Sequence, residues 1–416
     1  MFLARTAYIL LWFPKPSETF IFREVVNLWN MGLPLKVFTL YGELQGNLSP
    51  EMRASAVPVE RLGIPSAGLL LSGIRYWLKR SRKLTMRLFQ EVPFRRWNGI
   101  EKGGESLWAF LCAFHLARLF EAEAIEHIHA PWACGPATAA WGASRLTGIP
   151  FSFTGRAHDI YPPDGAIREK IRDAVLVRLE TKANRAHLTR YSAGNIDKLR
   201  VTYNGVPLGN VRSSPAPMVP PYRLLSIGRF VPTKGFDILI RACGILAHSG
   251  LDFHLTLVGD GSRMALLKRL VRRLELGDSV SFPGFVTHDR VTRYFLEADL
   301  FVMPCVVDST GNRDGLPTVI LEALLHRLPV IATKVSGIPE IIEDGVTGIL
   351  VAPGDIRAMA DAIRFMTENR ARALLMAERG LERVREEFDP LKNHQGLLRI
   401  YEEVLRNAVA PERRLL

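Results

Sequence analysis

Two segments in the second half of the chain combine charged side chains with glycines, a pattern typical of phosphate-binding loops. In the segment GRFVPTKG, Arg229 and Lys234 follow a short apolar run, and an amphipathic run begins after Gly235. A loop between a strand and a helix N-terminus surrounds an anion with backbone N–H groups and fixed cations. Arginine can bind a diphosphate through two parallel hydrogen bonds, and lysine adds a point charge. The segment therefore predicts a diphosphate site, with two solvated loop charges as the alternative.

The second segment, DGLPTVILE, begins at Asp314 and enters a helix at Pro317, a residue favoured in the first helical turn. The free backbone N–H groups at this helix start are placed to bind phosphate. Glu322 lies about one turn into the helix and is predicted to accept two hydroxyls of a ribose. Asp314 lies on the loop before it, where it can meet a sugar attached to the phosphates. The alternative is an acid favoured by the helix dipole and a solvated helix carboxylate.

Short apolar runs alternate with amphipathic runs throughout the second half, which predicts strands and helices in turn. This alternation is typical of a parallel sheet covered by helices on both faces. The predicted strands span 223–230, 253–259, 279–282, 300–304, 329–333 and 348–351, and the predicted helices span 236–248, 262–274, 290–297, 318–326 and 338–342.

The first half shows the same alternation less regularly, with predicted strands over 6–13, 35–41, 127–130 and 151–154 and predicted helices over 19–30 and 135–147. Residues 209–221 are rich in Pro, Ser and Gly, which predicts a linker. The predicted organisation is an N-terminal domain (1–208), the linker, a C-terminal domain (222–389) and a helix in 390–416 that packs back on the N-terminal domain. Two doubly wound α/β domains imply a cleft between them in which ligands bind.

The formal net charge of +12 is concentrated in the first half of the chain. Residues 1–213 hold 28 Lys and Arg against 17 Asp and Glu, whereas residues 214–416 hold 26 against 25. Within residues 75–102, basic side chains are interleaved with Trp77, Phe89 and Trp97. This pattern suits the surface of an anionic membrane, with a solvated helix face as the alternative. No RNA- or DNA-binding motif accompanies the charge, so no nucleic-acid partner is predicted.

Apolar segments and cysteines in the sequence indicate the cellular compartment. The longest apolar candidate for a membrane span, residues 67–74, is far shorter than the roughly 20 residues required. The four cysteines form no CxxC motif, which favours reduced thiols. We therefore expect a cytoplasmic protein, with peripheral association at the inner face of the cytoplasmic membrane through the basic stretch.

The second half resembles the retaining glycosyltransferases of family 4, which have the GT-B fold. The resemblance rests on GRFVPTKG, LVGDGS, FPGFV, ADLFVMPC, DGLPTVILEAL, PVIATKVSGIPEII and GVTGILVAPGD, which cover nearly all of residues 223–355. It implies two doubly wound, Rossmann-like domains that face each other across a cleft. It also implies roles for the site residues: Arg229 and Lys234 bind the donor diphosphate, Gly315, Leu316 and Pro317 approach phosphate and sugar through the backbone, and Glu322 holds the ribose.

The resemblance also suggests candidate catalytic residues. Family members usually have Glu where this chain has Asp314, at the same spacing from Glu322. The segment FTGRAHDIY resembles the HxHDIY-like turn of the family, with Arg156 in place of the usual first histidine. By this resemblance His158 faces the donor sugar across the cleft and Asp159 fixes the turn, although a lone histidine is more often structural. His158 and Asp314 are therefore the candidate catalytic residues.

Near the start of the chain, the segment PSETFI resembles a subgroup that works on bacterial exopolysaccharide, of the colanic-acid type. Ser17 and Glu18 are then expected beside the acceptor hydroxyl. The alternative is that Ser17 or Thr19 simply caps the helix that follows.

The function implied is transfer of a hexose from a nucleotide-diphosphate sugar to a glycan or polyprenyl-linked acceptor. Retention at the anomeric carbon and a place in exopolysaccharide or lipopolysaccharide assembly are implied as well. Arg229, Lys234 and helix N-termini would stabilise the leaving diphosphate without a metal or cofactor, since no DxD motif lies in a suitable place. Two alternatives stay open: a nucleotide-sugar epimerase of the same fold, and a non-catalytic protein that binds sugar nucleotides.

Overall fold

The computed structural model describes residues 3–44, 48–63, 67–92, 100–209 and 214–409. The chain forms two compact units, one of Met1–Thr202 with Leu391–Leu416 and the other of Tyr203–Pro390. Each unit has its own sheet of parallel strands, and core clusters are found in both.

The first unit alternates short buried strands with helices. Its strands are β1 (Thr6–Leu10), β2 (Leu35–Thr39), β3 (Val59–Arg61), β4 (His127–Ala130), β5 (Phe151–Gly155), β6 (Leu176–Leu179) and β7 (Leu199–Val201). Its helices up to this point are α1 (Thr19–Asn30), α2 (Pro50–Arg53), α3 (Ala67–Arg80), α4 (Arg82–Glu91), α5 (Ile100–Ala122), α6 (Gly135–Thr147), α7 (Ile167–Asp173) and α8 (Lys182–Thr189).

The strands of this unit lie in the order β3-β2-β1-β4-β5-β6-β7, and adjacent strands are parallel. The chain moves outward from β1 to β3 and then crosses back to β4 on the other side of β1. This reversal makes the sheet doubly wound, as the sequence predicts, and it leaves a gap between the loops after β1 and β4 where ligands bind in such sheets.

The second unit repeats this plan. Its strands are β8 (Tyr222–Ile227), β9 (Phe253–Val258), β10 (Val280–Gly284), β11 (Leu300–Met303), β12 (Val330–Thr333) and β13 (Ile349–Val351). Its helices are α9 (Phe236–His248), α10 (Met264–Arg273), α11 (His288–Glu297), α12 (Thr318–Leu325), α13 (Ile338–Ile341), α14 (Ile356–Glu368) and α15 (Arg370–Glu387). The parallel order β10-β9-β8-β11-β12-β13 reverses between β8 and β11.

The last helix, α16 (Pro390–Val409), lies almost wholly in the first unit. Its side chains Leu397, Leu398 and Tyr401 join a buried cluster with β1 and α1, and the Tyr401 and Tyr8 hydroxyls lie 3.2 Å apart. The chain thus passes through the second unit and ends on the first.

The second unit begins earlier than the predicted linker, at Tyr203 rather than after residue 221. Val206, Ala216 and Met218 are buried in its core, and the Met218 N–H donates to the Asp299 carboxylate at 3.0 Å. Within the described part of the predicted linker, Ala216 and Met218 therefore pack in the core of the second unit.

A buried ionic cluster lies beneath the C-terminal edge of the first sheet. The Glu24 carboxylate on α1 pairs with Arg178 on β6, and Arg156 after β5 lies 3.3 Å from the same oxygen. Arg156 also pairs with Glu180. Burial acts to raise the pKa of Glu24, but the two guanidinium groups outweigh it and lower the pKa to about 2.

We expect Glu24→Gln to lower the free energy of unfolding by about 3–5 kcal/mol, because it leaves buried cations without their counter-charge. Since the pKa of Glu24 is lowered in the folded state, its contribution is fully present above about pH 4.5 and is lost as the pH falls toward 2. Urea unfolding of wild type and variant at neutral and acidic pH measures both effects. Glu51→Gln, on an exposed carboxylate of the same unit, is the control, and an equal loss in both variants would contradict this account.

Candidate active site

The cationic loop of the second unit begins where β8 ends. A 3-10 turn over Pro232–Lys234 follows Phe230 and Val231, and Gly235 then adopts φ 63° before α9 begins. The loop after β11, which leads to α12, lies beside it across the point where the strand order reverses. Loops at such a point carry the ligand-binding residues of open α/β sheets.

Two glycines allow the loops after β8, β9 and β11 to approach one another closely. A Cβ on Gly235 would lie 2.0 Å from the carbonyl oxygen of Pro304, at the end of β11. Gly259, with φ 143°, follows β9, and a Cβ there would lie 2.0 Å from the carbonyl oxygen of Gly228. Both positions combine left-handed backbone with contact distances that only glycine permits.

An ion pair joins the loops after β8 and β11. The Lys234 Nζ lies 2.6 Å from Asp314 Oδ2, and the Cys305 thiol donates to the same oxygen at 3.1 Å. Lys234 is only 9% exposed, and Asp314 is half-buried. The structure therefore brings together two site residues that lie 80 positions apart in the sequence.

Both partners of this pair are charged. Burial acts to lower the pKa of Lys234, but Asp314 outweighs it and raises that pKa above its usual value. Burial acts to raise the pKa of Asp314, and Lys234 outweighs it, so the net pKa is lowered. Arg229 is exposed, and its charge acts on both groups. An anion at this point would thus meet one buried and one exposed cation.

The start of α12 supplies the second half of the site. Pro317 is its N-cap, and no side chain caps the helix. The carbonyl of Gly315 accepts a hydrogen bond from Gly337 N at 3.0 Å, which ties the loop to the one after β12. Gly315, Leu316 and Pro317 are largely buried at this helix start. The N-terminal dipole of α12 would favour an anion here, and phosphate binding at this helix start stays a prediction.

Glu322 lies on α12 with its side chain largely buried. The Nδ1 atom of His288, at the start of α11, is 3.9 Å from Glu322 Oε1. Sequence reasoning missed His288. The available signal was its position two residues after the segment FPGFV, at the start of a helix.

In the first unit, polar side chains gather where β1, β4 and β5 end. Trp132, after β4, donates its indole N–H to Glu18 Oε2 at 3.4 Å, and its ring centroid lies 4.5 Å from that of His158. Trp132 thus connects Glu18 and His158, which the sequence analysis placed on separate segments. Sequence reasoning missed Trp132, although it lies two residues after a predicted strand.

Asp159 fixes the turn that carries His158. Its two carboxylate oxygens accept hydrogen bonds from the backbone N–H groups of Ala133, Arg156 and Ala157 at 2.7–3.0 Å. His158 itself is exposed at the surface of this unit. The Arg156 side chain points into the ionic cluster instead, where its Nε donates to the Pro131 carbonyl at 2.9 Å.

The capping alternative for the start of α1 is wrong. The N-cap is Glu18, and no side chain makes a capping hydrogen bond. Ser17 is exposed, and Thr19 is the first helical residue. The Glu18 carboxylate instead accepts a hydrogen bond from Lys15 Nζ at 2.6 Å.

Comparison with known proteins agrees with this geometry. Residues 212–383 match the family described as glycosyl transferases group 1. The match confirms the resemblance drawn from the sequence motifs, and it contains Arg229, Lys234, Asp314 and Glu322.

Relatives of the group 1 region are glycosyltransferases by name. The chain is 33% identical over 184 residues, 44% of its own length and 45% of the relative's, to the amylovoran biosynthesis glycosyltransferase AmsK of Erwinia amylovora. It is 26% identical over 86% of its length, and 89% of the relative's, to a protein named as the putative colanic acid biosynthesis glycosyltransferase WcaL of Salmonella typhimurium. The chain spans about half the length of the curated relatives that it matches first.

A solved structure is similar in fold over most of the chain. HepE of Anabaena, in complex with UDP, matches with a TM-score of 0.71 and 18% identity over 96% of this chain and all of that one. This likeness confirms the GT-B fold, with two Rossmann-like units.

Gly235→Ala is expected to destabilise the protein more than Gly250→Ala does. Both glycines have positive φ, 63° and 79°, but a Cβ at Gly250 meets nothing within 4 Å. The difference isolates the clash with Pro304, which should cost about 1–3 kcal/mol more in the free energy of unfolding. Urea denaturation of the two variants measures it, and equal losses would show that the loops after β8 and β11 need not lie so close.

Proposed function

We propose that this chain is a retaining glycosyltransferase that moves a hexose from a nucleotide-diphosphate sugar to a glycan or lipid-linked acceptor. Assembly of a bacterial exopolysaccharide or lipopolysaccharide is the process proposed. The observation that carries the proposal is the Lys234–Asp314 pair beside the uncapped N-terminus of α12, at the reversal of the second sheet. The family match and the names of the relatives support it.

The donor diphosphate is assigned to the second unit. Lys234 Nζ is held ionised and positioned by Asp314, so it can donate to a phosphate oxygen without rearranging. Arg229 is exposed and free to bind phosphate oxygens through two parallel bonds. Glu322 is assigned to the ribose hydroxyls and Asp314 to the donor sugar.

The chemical step breaks the bond between the anomeric carbon and the diphosphate oxygen, which keeps the electron pair. An acceptor hydroxyl forms the new bond on the same face, and its proton passes to the departing diphosphate. Negative charge develops on the leaving group, and fixed cations with a helix N-terminus stabilise it in a water-poor site. We assign this task to Arg229, Lys234 and α12, without a metal ion or cofactor.

The acceptor is assigned to the first unit, where Glu18, Trp132 and His158 lie together. His158 is proposed to contact the donor sugar during transfer, and Ser17 and Glu18 to lie beside the acceptor hydroxyl. The net charge of the first half is consistent with an acidic acceptor or an anionic surface.

Lys234→Ala should weaken the binding of UDP or GDP by about ten-fold or more, since it removes a buried cation at the diphosphate. Isothermal titration calorimetry measures the affinity, and the nucleotide that wild type binds more tightly is the one compared. Lys268→Ala, on an exposed lysine of α10, is the control. Unchanged nucleotide affinity in the Lys234 variant would show that this loop is not part of the donor site.

Transfer is tested by incubating the protein with radiolabelled nucleotide sugars, with and without a bacterial membrane extract that contains lipid-linked glycans. Label should enter the glycan fraction only when both protein and extract are present. Formation of an epimeric nucleotide sugar without extract would support the epimerase instead. Tight nucleotide binding with no turnover would support the non-catalytic binding protein. Addition of EDTA should leave transfer unchanged.

Peripheral membrane association is proposed through one face of α3 and α4, which we call the basic helical face. Trp77 and Leu88 anchor these helices in the core, whereas Leu69, Leu71 and Met86 are 50%, 58% and 47% exposed. Six cations on these two helices are exposed: Arg75, Lys79, Arg80, Arg82, Lys83 and Arg87. The rest of the predicted stretch includes Arg95, Arg96 and Trp97, which lie outside the described residues. Among the described helices, none is long and apolar enough to cross a bilayer.

Replacing Lys79, Arg82, Lys83 and Arg87 by Ser should weaken binding to vesicles of phosphatidylcholine and phosphatidylserine. Each cation near an anionic surface contributes about 1 kcal/mol, so binding should fall by about ten-fold or more at low salt. The matched control replaces four exposed cations of one other helix, Lys268, Arg269, Arg272 and Arg273 of α10. Equal losses in both variants would mean that only overall charge matters, and the basic helical face would not be the anchor.

A further inference from the structure

Three aromatic rings form an offset stack at the C-terminal edge of the first sheet. Trp12 follows β1, Tyr41 follows β2, and Trp108 lies on α5. The centroids of Trp12 and Tyr41 are 4.7 Å apart with ring planes at 24°, and those of Tyr41 and Trp108 are 6.3 Å apart at 7°. We call these three side chains the aromatic platform.

The backbone holds the platform in place. The Tyr41 N–H donates to the Leu11 carbonyl at 3.0 Å, which extends the pairing of β1 and β2 to the residues that carry two of the rings. The Trp108 indole N–H donates to the Leu40 carbonyl at 2.9 Å. Trp108 packs on the core cluster, so the rings are fixed before any ligand arrives.

The platform differs from the aromatic core beside it. Phe38, Phe110 and Phe114 are fully buried, whereas each platform ring keeps part of its surface exposed to solvent. Partly exposed Trp and Tyr rings in a fixed array are costly to leave in water, and they provide flat apolar surface with little conformational entropy to lose on binding.

Charged side chains lie on the ring-bearing loops and beside the rings. Lys15 Nζ lies 5.5 Å from the Trp12 ring centroid and 2.6 Å from Glu18 Oε1. Arg61 donates to the Phe13 carbonyl at 3.4 Å and lies 3.8 Å from the Glu43 carboxylate. Burial, with the nearby Glu105 carboxylate, raises the pKa of Tyr41, so its phenol stays neutral and able to donate.

This combination fits one class of ligand well. A pyranose ring has an apolar face of C–H groups, which carry partial positive charge and stack on the electron-rich face of an aromatic ring. Its hydroxyls project around the edge, where carboxylates, ammonium and guanidinium groups can hydrogen-bond to them. Apolar rings with a polar rim therefore match a carbohydrate rather than a hydrocarbon chain.

We propose that the aromatic platform binds an oligosaccharide segment of the acceptor. Lys15 contacts both Trp12 and Glu18, so the platform is continuous with the group assigned to the acceptor hydroxyl. The inference rests on the proposed glycosyltransferase function and deepens it. The acceptor is then a glycan of more than one sugar that binds at the C-terminal edge of the first sheet, and not a bare lipid phosphate.

A membrane surface is the less favoured occupant. The acids beside the platform, Glu18, Glu43 and Glu105, would repel anionic headgroups. Exposed aliphatic side chains with cations, which suit a bilayer, lie instead on the basic helical face.

The test uses Trp12→Ala and Tyr41→Ala in the full chain, with Trp12→Phe as the conservative variant. Trp29→Ala is the matched control, because Trp29 is 37% exposed near the C-terminal end of α1. The probes are a printed array of bacterial oligosaccharides of two to eight sugars, phosphatidylserine vesicles, and UDP or GDP. Circular dichroism and the melting temperature show that each variant folds.

Wild type should bind a subset of the array. Trp12→Ala and Tyr41→Ala should weaken that binding by about ten-fold or more, whereas Trp12→Phe should stay within about three-fold of wild type. Trp29→Ala should match wild type, and nucleotide affinity should be unchanged in all variants. Unchanged glycan binding in both alanine variants would overturn the inference. So would a wild type that binds no glycan, or platform variants that lose vesicle binding alone.

The same data separate this inference from the proposed function. In one outcome, the wild type binds glycan in a Trp12-dependent way but neither binds nucleotide nor transfers sugar. That result would contradict the proposed transferase function and would still support carbohydrate binding by the aromatic platform. If transfer to a glycan occurs and Trp12→Ala leaves the acceptor KM unchanged, the transferase proposal stands and the proposed role of the platform is contradicted. Transfer with an acceptor KM raised about ten-fold, at unchanged donor KM, supports both.

Discussion

The order of strands in each sheet determines where this chain can hold a ligand. Successive strands of the second sheet move outward from β8 to β10, and the chain then crosses back to β11. The loops that follow β8 and β11 therefore lead to helices on different sides of the sheet and leave a crevice at its edge. The phosphate-site candidates depend on this reversal, because it is what places residue 234 next to residue 314. The first sheet reverses between β1 and β4, and its polar residues gather at the corresponding place.

Within the crevice, backbone contact and electrostatics reinforce each other. The absence of a side chain at Gly235 allows the cationic loop to touch the end of β11. That contact brings Lys234 into a largely buried position where only a close carboxylate can keep it charged. Asp314 meets this need, and Cys305 holds the same carboxylate oxygen. The Lys234 ammonium group is thus held in one position by Asp314, and in the proposed function this arrangement preorganises it for a phosphate.

Much of this arrangement could be predicted from the sequence. Helices 19–30, 135–147 and 236–248 have the predicted bounds because their apolar periodicity is regular. The first strand ends at Leu10 rather than at 13, since Trp12 and Phe13 belong to a loop although they are as apolar as a strand. The helix predicted over 262–274 begins at Met264 instead, with Arg263 as its N-cap. The contacts of His288 and Trp132 could not be predicted, because they join segments that only the tertiary fold brings together. The three-ring stack was missed for the same reason: Trp12, Tyr41 and Trp108 come from three elements spread over nearly a hundred residues.

The substitution of arginine for histidine in the HDIY-like turn changes how the first unit responds to its surroundings. A histidine there would gain and lose its proton near neutral pH. Arg156, although burial lowers its pKa to about 10, remains a permanent cation between Glu24 and Glu180. Its guanidinium lies 4.7 Å from the Phe20 ring centroid and 5.4 Å from that of Trp132, so the floor beneath Glu18 and His158 has a constant charge. Near neutral pH, the Arg156 charge beneath Glu18 and His158 therefore does not change with protonation, as the charge of a histidine there would.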